Sequence, residues 1–272
     1  MENKVVLITG GTGSFGEALT NELLKLNPQV IRVLSNDEDA MVSMQRKYEN
    51  KNLRFLVGDV RDKARLYRAM NGVDIVIHSA ALKHVPICDF NPFEAVKTNI
   101  LGSMNVVDAA IDNMVCKVLA ISSDKAVHPI NLYGSTKLTM EKLFIQADVY
   151  GKTKFSCVRF GNFQESRGSL MPLIRQQLEA GEIITITDKE MARFWITLED
   201  AARFTVACLN RMEGKEIFIP KMPEKQIAEI IEALAPNAPY KIIGKRQGEK
   251  LHELLWSEGE EPQDMGDYLV IK

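Results

Sequence analysis

The chain has 272 residues, 46% apolar and 26% charged, which suits one large buried core in an ordinary globular protein. A formal charge of -2 with no long basic run argues against nucleic acid as a partner. No apolar stretch approaches the roughly 18 residues of a membrane span, and the short apolar run before the first glycines is too brief for a signal peptide. Cys88, Cys116, Cys157 and Cys208 form no close pair, so neither a disulfide framework nor a zinc site is expected, and a reducing, cytoplasmic setting fits.

In chain order, Lys4–Ile8 is a β-branched run that ends in glycines, and Gly16–Leu26 then sets Leu19, Leu23, Leu24 and Leu26 on one helical face. Val30–Leu34, Leu53–Asp59, Val73–Ala80, Cys116–Ile121 and Phe155–Phe160 read as strands. Helices are expected over about Lys63–Met70, Asn91–Asn113 and Leu132–Val149. This alternation predicts an α/β, Rossmann-like doubly wound parallel sheet covered on both faces. Beyond Phe160, helical patterns cover Ser169–Gly181, Leu198–Met212, Lys225–Pro236 and Glu249–Trp256, and Tyr268–Ile271 reads as a last strand. Residues 1–161 are therefore expected to bind a dinucleotide. Residues 162–272 should form mainly a small, partly interleaved substrate lobe with elements returning to the main sheet.

The turn "TGGTGSFG" spaces Gly10, Gly13 and Gly16 between a strand and a helix. In that context Gly10 makes the tight turn, Gly13 admits a pyrophosphate to the backbone, and Gly16 lets helix and strand pack closely. Thr12, Ser14 and Phe15 complete the expected cradle, and the helix N-terminus faces the phosphates. A glycine turn without ligand is the plain alternative. After the second strand, Ser35, Asn36 and Asp37 should meet the adenosine ribose. Asp37 would accept from its 2'-hydroxyl, which favours NAD, or is an ordinary turn acid; Arg46 or Arg61 reaching a 2'-phosphate is the other reading. "GDVRD" places Asp59 and Val60 beside the adenine, unless Asp59 only caps a helix, and Ala80 and Ala81 follow the fourth strand into the same groove.

The segment "SSDKAVHPINLYGSTK" (Ser122 to Lys137) carries the chemistry. Tyr133 and Lys137 are four apart at the start of a helix and share a face. A tyrosine can take an alcohol proton while hydride leaves the same carbon, but bringing its pKa from about 10 to near 7 needs about 4 kcal/mol of phenolate stabilisation. Lys137 and a bound nicotinamide are the candidate sources, and Ser123 would hold substrate and tyrosine in line. Oxidation needs nothing more, so Asp124 and Lys125 are surplus. After a sugar is oxidised at C4, its C5 hydrogen is acidic; Lys125 could remove it while Asp124 protonates the departing C6 hydroxyl, an internal 4,6-dehydration. Turn and surface charges are the bland reading of that pair. His78 and His84 lack metal-ligand spacing; His128 should set its turn, and His252 should pack or make a local hydrogen bond. No metal is expected. Phe194 and Trp195 should pack the lobe interface, with a place bordering the sugar site as the other reading.

Taken together, "ITGGTGSFG", "GDVRD", "AALKHVP", "KTNILGS", the Ser122–Lys137 segment, "SRGS", "ITITDKEMARFWIT", "EIFIPKMP" and "GEKLHE" cover nearly the whole chain. They resemble the extended short-chain dehydrogenase/reductases. More closely, they resemble the soluble inverting UDP-N-acetylglucosamine 4,6-dehydratases of pseudaminic acid biosynthesis. The resemblance implies a UDP-sugar substrate, a tightly held NADP or NAD, and a homo-oligomer, typically a hexamer. It implies that Asn99 lines the nicotinamide side and Lys83 stands beside the substrate. By the same resemblance Asn162, Ser169 and Pro172 receive the nucleotide-sugar, and Arg246 and Glu249 close around the diphosphate. The chain departs from the pattern at Asn36, where relatives carry an arginine suited to a 2'-phosphate, and at Glu165, whose carboxylate would repel a diphosphate unless it turned away or met Arg167. It also ends at Lys272, several dozen residues before most relatives. A retaining 4,6-dehydratase, a nucleotide-sugar 4-epimerase and a non-catalytic dinucleotide-binding scaffold are the competing functions.

Overall fold

A computed structural model describes residues 1–272. The first half alternates strand and helix: β1 (Val5–Thr9), α1 (Ser14–Leu24), β2 (Val30–Ser35), α2 (Glu38–Tyr48), β3 (Leu53–Val57), α3 (Lys63–Met70), β4 (Ile75–His78), α4 (Val85–Phe90), α5 (Pro92–Val96), α6 (Gly102–Asp112), β5 (Lys117–Ser123), α7 (Leu132–Ala147) and β6 (Lys154–Phe160). The second half is shorter-stepped: β7 (Asn162–Phe163), α8 (Leu170–Glu179), β8 (Ile184–Ile186), β9 (Ala192–Ile196), α9 (Leu198–Arg211), β10 (Ile217–Pro220), β11 (Glu224–Gln226), α10 (Ile227–Leu234), β12 (Tyr240–Ile242), β13 (Gln263–Asp264) and β14 (Tyr268–Ile271).

Nine strands form one sheet in the order β13-β14-β10-β6-β5-β4-β1-β2-β3. From β3 to β10 every pairing is parallel, while β14 and β13 add on antiparallel. Ile8 stands opposite Val33 on one side and Ile77 on the other. Central strands of this kind are buried on both faces, which is why their sequences read as unbroken apolar runs. The main core follows them: Val6, Leu7, Ile8, Val76, Ile77, Val118, Leu119, Phe155 and Val158 are buried together. A second, smaller core of Met171, Ile174, Ile184, Ile186, Trp195 and the isoleucines of α10 holds β8, β9 and α8. No helix is long and apolar enough to cross a membrane.

Several expectations need correction. α2, unforeseen, starts where the Asp37 side chain accepts from the Ala40 N–H. The single helix expected over Asn91–Asn113 is divided: α5 passes through a π-turn at Lys97–Leu101 into α6, and α4 precedes it. The wider turn carries Asn99, which is buried and bonded to Leu82 and Thr136. Glu249–Trp256 is not helical. Its carbonyls are taken by other parts of the fold: Arg193 donates to those of Lys250 and Leu251, and the Ala192 N–H donates to Leu251. A side-chain pattern cannot foresee such competition for backbone groups.

One ionic core is also new. Arg159, on β6, is fully buried and donates to Glu141 at 3.1 and 2.7 Å and to Glu260 at 3.0 and 2.9 Å. Burial disfavours its charge, but the two carboxylates outweigh it and raise its pKa.

Candidate active site

The C-terminal ends of the parallel strands open into a cleft of about 890 Å³. At its dinucleotide end, Gly10 has φ +65°, and a Cβ there would stand 2.8 Å from the Ala80 Cα, so the turn admits only glycine. At Gly16 a Cβ would lie 2.6 Å from Gly11, which fixes how closely α1 meets the strand. Gly13 is the N-cap of α1 and no side chain caps it, leaving the positive helix end free for an anion. Thr12 Oγ1 donates to Ser35 Oγ at 2.7 Å and ties this loop to the end of β2.

The adenosine side is acidic. Asp37 caps α2 by accepting from the Ala40 N–H at 2.9 Å and also lines the cleft. Asn36 Nδ2 donates to Asp59 at 3.2 Å. Arg61 grips Asp59 with two side-chain bonds, 3.0 and 2.7 Å, and reaches Glu94 at 2.8 Å. That guanidinium beside Asp59 lowers the carboxyl's pKa and is itself committed to two carboxylates. Asp62, not Asp59, caps the following helix. Arg46 does not line the cleft. Thr12, Ser14, Phe15, Ser35, Val60, Ala80 and Ala81 do. Asn99 does not: it is 2% exposed, with its side chain bonded to both Leu82 backbone groups and to Thr136.

At the other end β5 delivers Ser123 into a short turn, Asp124–Ala126, and Asn131 caps α7 by accepting from Gly134 at 2.8 Å. A Cβ on Gly134 would sit 2.2 Å from the Lys125 carbonyl, so helix and turn lie flush. One helical turn apart, Tyr133 and Lys137 both face the cleft. Lys137 Nζ donates to the Ile121 carbonyl at 2.7 Å, and burial lowers its pKa to about 8. Burial pushes the Tyr133 phenol up, a hydrogen bond with Ser123 pulls it down, and the nearby Asp124 charge adds to the rise. Protein surroundings alone therefore keep this phenol protonated, and lowering it falls to whatever positive charge binds beside it.

Ser123 Oγ donates to Asp124 Oδ1 at 2.9 Å, and Lys125 Nζ donates to the same oxygen at 3.0 Å and to Asn162 Oδ1 at 3.1 Å. Asp124 is wholly buried, and its Oδ2 has no partner. The hydroxyls of Ser122 and Ser169, both lining the cleft, are likewise unpartnered. Buried polar atoms are normally satisfied, so the Ser122 and Ser169 orphans in the cleft wall fit a polar ligand; Asp124 lies just behind that wall and does not itself line the cleft. With the open helix end and the ribose-side carboxylate, the cleft suits a dinucleotide beside a hydroxyl-rich substrate.

Of the other expected residues, Lys83, Asn162, Ser169 and Glu249 line this cleft, whereas Pro172 and Arg246 do not. Pro172 lies in the first turn of α8, and Arg246 is exposed in a turn closed by bonds with Glu249. Glu165 turns away to Arg175 at 2.6 Å rather than meeting Arg167. Arg167 instead crosses to the glycine loop: its N–H donates to Ser14 Oγ at 3.0 Å, its guanidinium to the Thr12 carbonyl at 2.5 Å, and Lys83 Nζ donates to its carbonyl at 2.9 Å. His78 lies between Thr9 and Ser103, and burial lowers it to about 3. His128 sits in its turn at φ +43°, and His252 is exposed beside Glu224. Trp195 packs the smaller core and Phe194 abuts Gly161. No group of His, Cys, Asp and Glu is placed to hold a metal.

Sequence reasoning missed Lys250 and Glu253. Lys250 Nζ donates to the Val127 carbonyl at 2.6 Å, and Glu253 stands 3.7 Å from Lys125 Nζ. Both lie in "GEKLHE", but no local spacing links that motif to a turn so far upstream.

The family described as "Polysaccharide biosynthesis protein" matches residues 6–272. An inverting UDP-N-acetylglucosamine 4,6-dehydratase of Campylobacter jejuni is 49% identical over 93% of this chain and 78% of its own. A UDP-glucose 4-epimerase of Rickettsia conorii is 41% identical over 99% of this chain and 83% of its own. The X-ray structure of Pen from Bacillus thuringiensis superposes with a TM-score of 0.96 at 40% identity, covering 99% of this chain and 89% of that one. The chain thus belongs to the polysaccharide biosynthesis protein family, among the nucleotide-sugar dehydratases and epimerases built on the short-chain dehydrogenase/reductase fold.

Proposed function

We propose that this protein is a UDP-N-acetylglucosamine 4,6-dehydratase that inverts C5 and forms UDP-2-acetamido-2,6-dideoxy-β-L-arabino-hex-4-ulose. The observation that carries this reading is the Asp124–Lys125 pair, 3.0 Å apart beside Ser123, with a buried carboxylate oxygen left free. A nicotinamide dinucleotide, when bound, accepts the hydride from C4 and gives it back at C6. Tyr133 takes the C4 hydroxyl proton, with Ser123 aligning the oxygen and Lys137 steadying the phenolate. Lys125 then removes the C5 proton, which the new ketone has made acidic, and Asp124 gives its proton to the C6 hydroxyl, which leaves as water. Solvent supplies a proton to the opposite face of C5 while Tyr133 releases the C4 hydroxyl proton to solvent, so the substrate loses one water with no net redox change.

The resting ion pair is a tautomer of the working pair. Elimination converts carboxylic acid and amine into carboxylate and ammonium, and one proton moved from Lys125 to Asp124 across their hydrogen bond resets it. On this reading Lys83, Asn162, Ser169 and Glu249 hold the nucleotide-sugar, and the lobe from residue 162 onward supplies most of that grip. The acidic ribose edge, with Arg61 already neutralised, favours a 2'-hydroxyl over a 2'-phosphate and hence NAD over NADP. Phe90 and Phe93, 86% and 79% exposed on adjoining short helices, support a homo-oligomer. Four free cysteines support a cytoplasmic setting.

A 4-epimerase is the second reading, favoured by the Rickettsia relative. It would use Ser123, Tyr133 and Lys137 but leave Asp124 and Lys125 without a task. Incubation with UDP-N-acetylglucosamine in deuterated water separates the two. Water loss with deuterium at C5 is expected, and the configuration at C5 distinguishes inversion from retention. Epimerised sugar with no water loss would overturn the dehydratase.

A further inference from the structure

Lys125 has one more acidic neighbour than the elimination above requires. Besides Asp124 and Asn162, it faces Glu253 Oε1 at 3.7 Å. Glu253 is 5% exposed and forms no hydrogen bond; its ionic neighbours are Lys125 and Lys250, the latter 3.3 Å from Oε2. A buried carboxylate that caps no helix and bonds no backbone contributes little to folding, because its desolvation offsets its charge contacts. Yet its segment is held firmly. Arg193 grips the carbonyls of Lys250 and Leu251, Lys250 reaches the Val127 carbonyl at 2.6 Å, and Asn131 Nδ2 donates to the Gly248 carbonyl at 2.8 Å. The last two contacts fall on the turn and helix cap that flank Lys125.

We propose that Glu253 is a positioning residue for Lys125, an inference that rests on reading Lys125 as the C5 base. A neutral amine has two N–H bonds and one lone pair. Asn162 accepts one of the hydrogens at 3.1 Å and the Glu253 carboxylate, 3.7 Å away, attracts the other by charge from the second lobe, which leaves the lone pair toward Asp124 and the cleft. After elimination the added proton lies next to Asp124 Oδ1, ready to return. With all four groups charged, Asp124, Lys125, Glu253 and Lys250 alternate in sign and sum to zero, so removing Glu253 leaves an excess positive charge beside the base.

The test compares the parent protein with Glu253→Gln, which keeps the shape and removes the charge. Water loss and C5 deuteration should fall together by about 10²-fold, the cost of misplacing a reacting group by a fraction of its reach. KM should stay within roughly two-fold. Near-ultraviolet absorbance of reduced nicotinamide should accumulate on adding substrate, because C4 oxidation outruns elimination. Unchanged turnover, or loss of C4 oxidation in step with dehydration, overturns the proposal. A parent that dehydrates nothing refutes the dehydratase reading instead, and a second measurement then decides on Glu253 alone. Acylation of Lys125 by a small activated ester, read by mass spectrometry against exposed Lys25, should rise several-fold in Glu253→Gln. Equal labelling in both proteins overturns the positioning role whatever the substrate is.

Discussion

The glycine loop and the Ser122–Lys137 segment hang from strands of the same sheet, yet they are built in opposite ways. The first works with backbone: an uncapped helix end and glycines whose missing side chains make room. Its parts lie within seven residues, Gly10 to Gly16. The second works with side chains, and its decisive contacts come from Asn162, Gly248, Lys250 and Glu253. On the proposed reading, the site for a common cofactor is written locally, whereas the one for a particular elimination is assembled from distant parts of the chain.

Substitutions should separate these two regions. Tyr133→Phe should lower turnover by about 10³-fold or more while bound cofactor stays at its parental level; equal activity would remove the tyrosine as proton acceptor. Lys125→Ala should stop water loss to a similar degree but leave oxidation at C4, visible as a lasting rise in reduced nicotinamide. Persistent C5 exchange in that variant would sink its role as base. Gly10→Val reverses the pattern. A β-branched residue at φ +65° and 2.8 Å from Ala80 backbone costs roughly 1–3 kcal/mol locally, so the purified protein should carry less cofactor and melt earlier.

His78 sits on β4, the strand between β1 and β5, and its effect is read in stability. Folded, it titrates at about 3; unfolded, near 6.5. Between those values the unfolded chain binds a proton that the folded one refuses. Its contribution is therefore complete above about pH 6.5 and declines by about 1.4 kcal/mol per unit as the pH falls toward 3. Denaturant titrations of His78→Asn should show a shallower acid slope. The smallest effect expected is at Asn36. Asn36→Arg should move cofactor preference toward NADP by about ten-fold, the worth of one partly exposed charge contact with a phosphate, and an unchanged NAD/NADP ratio would place the discrimination elsewhere.

The contrast also explains what could be read from sequence. Strand and helix order was legible because β-branched runs and i,i+4 leucines record burial directly, and the last strand was placed at Tyr268–Ile271, as observed. The glycine turn and the Ser123, Tyr133 and Lys137 grouping were legible because strand ends and one helical turn bring them together. Asn99 was placed at the nicotinamide by resemblance; it holds both backbone groups of Leu82 from within a π-turn that a 3.6-residue period does not foresee. Arg246 was expected near the diphosphate and lies outside the cleft, because a charged residue in a loop has no periodicity to orient it. Glu253 escaped notice since its partner, Lys125, is remote in sequence and the helix expected over Glu249–Trp256, which contains Glu253, does not form.

The bonds from Arg167 to Thr12 and Ser14 bear on residence time. They join the second lobe to the rim of the glycine loop, so contacts that must open would slow the departure of a molecule seated beneath them. An enzyme that reoxidises its cofactor within each turnover gains nothing from such opening. It would be expected to leave purification with its dinucleotide aboard, and added free cofactor would then leave its rate unchanged.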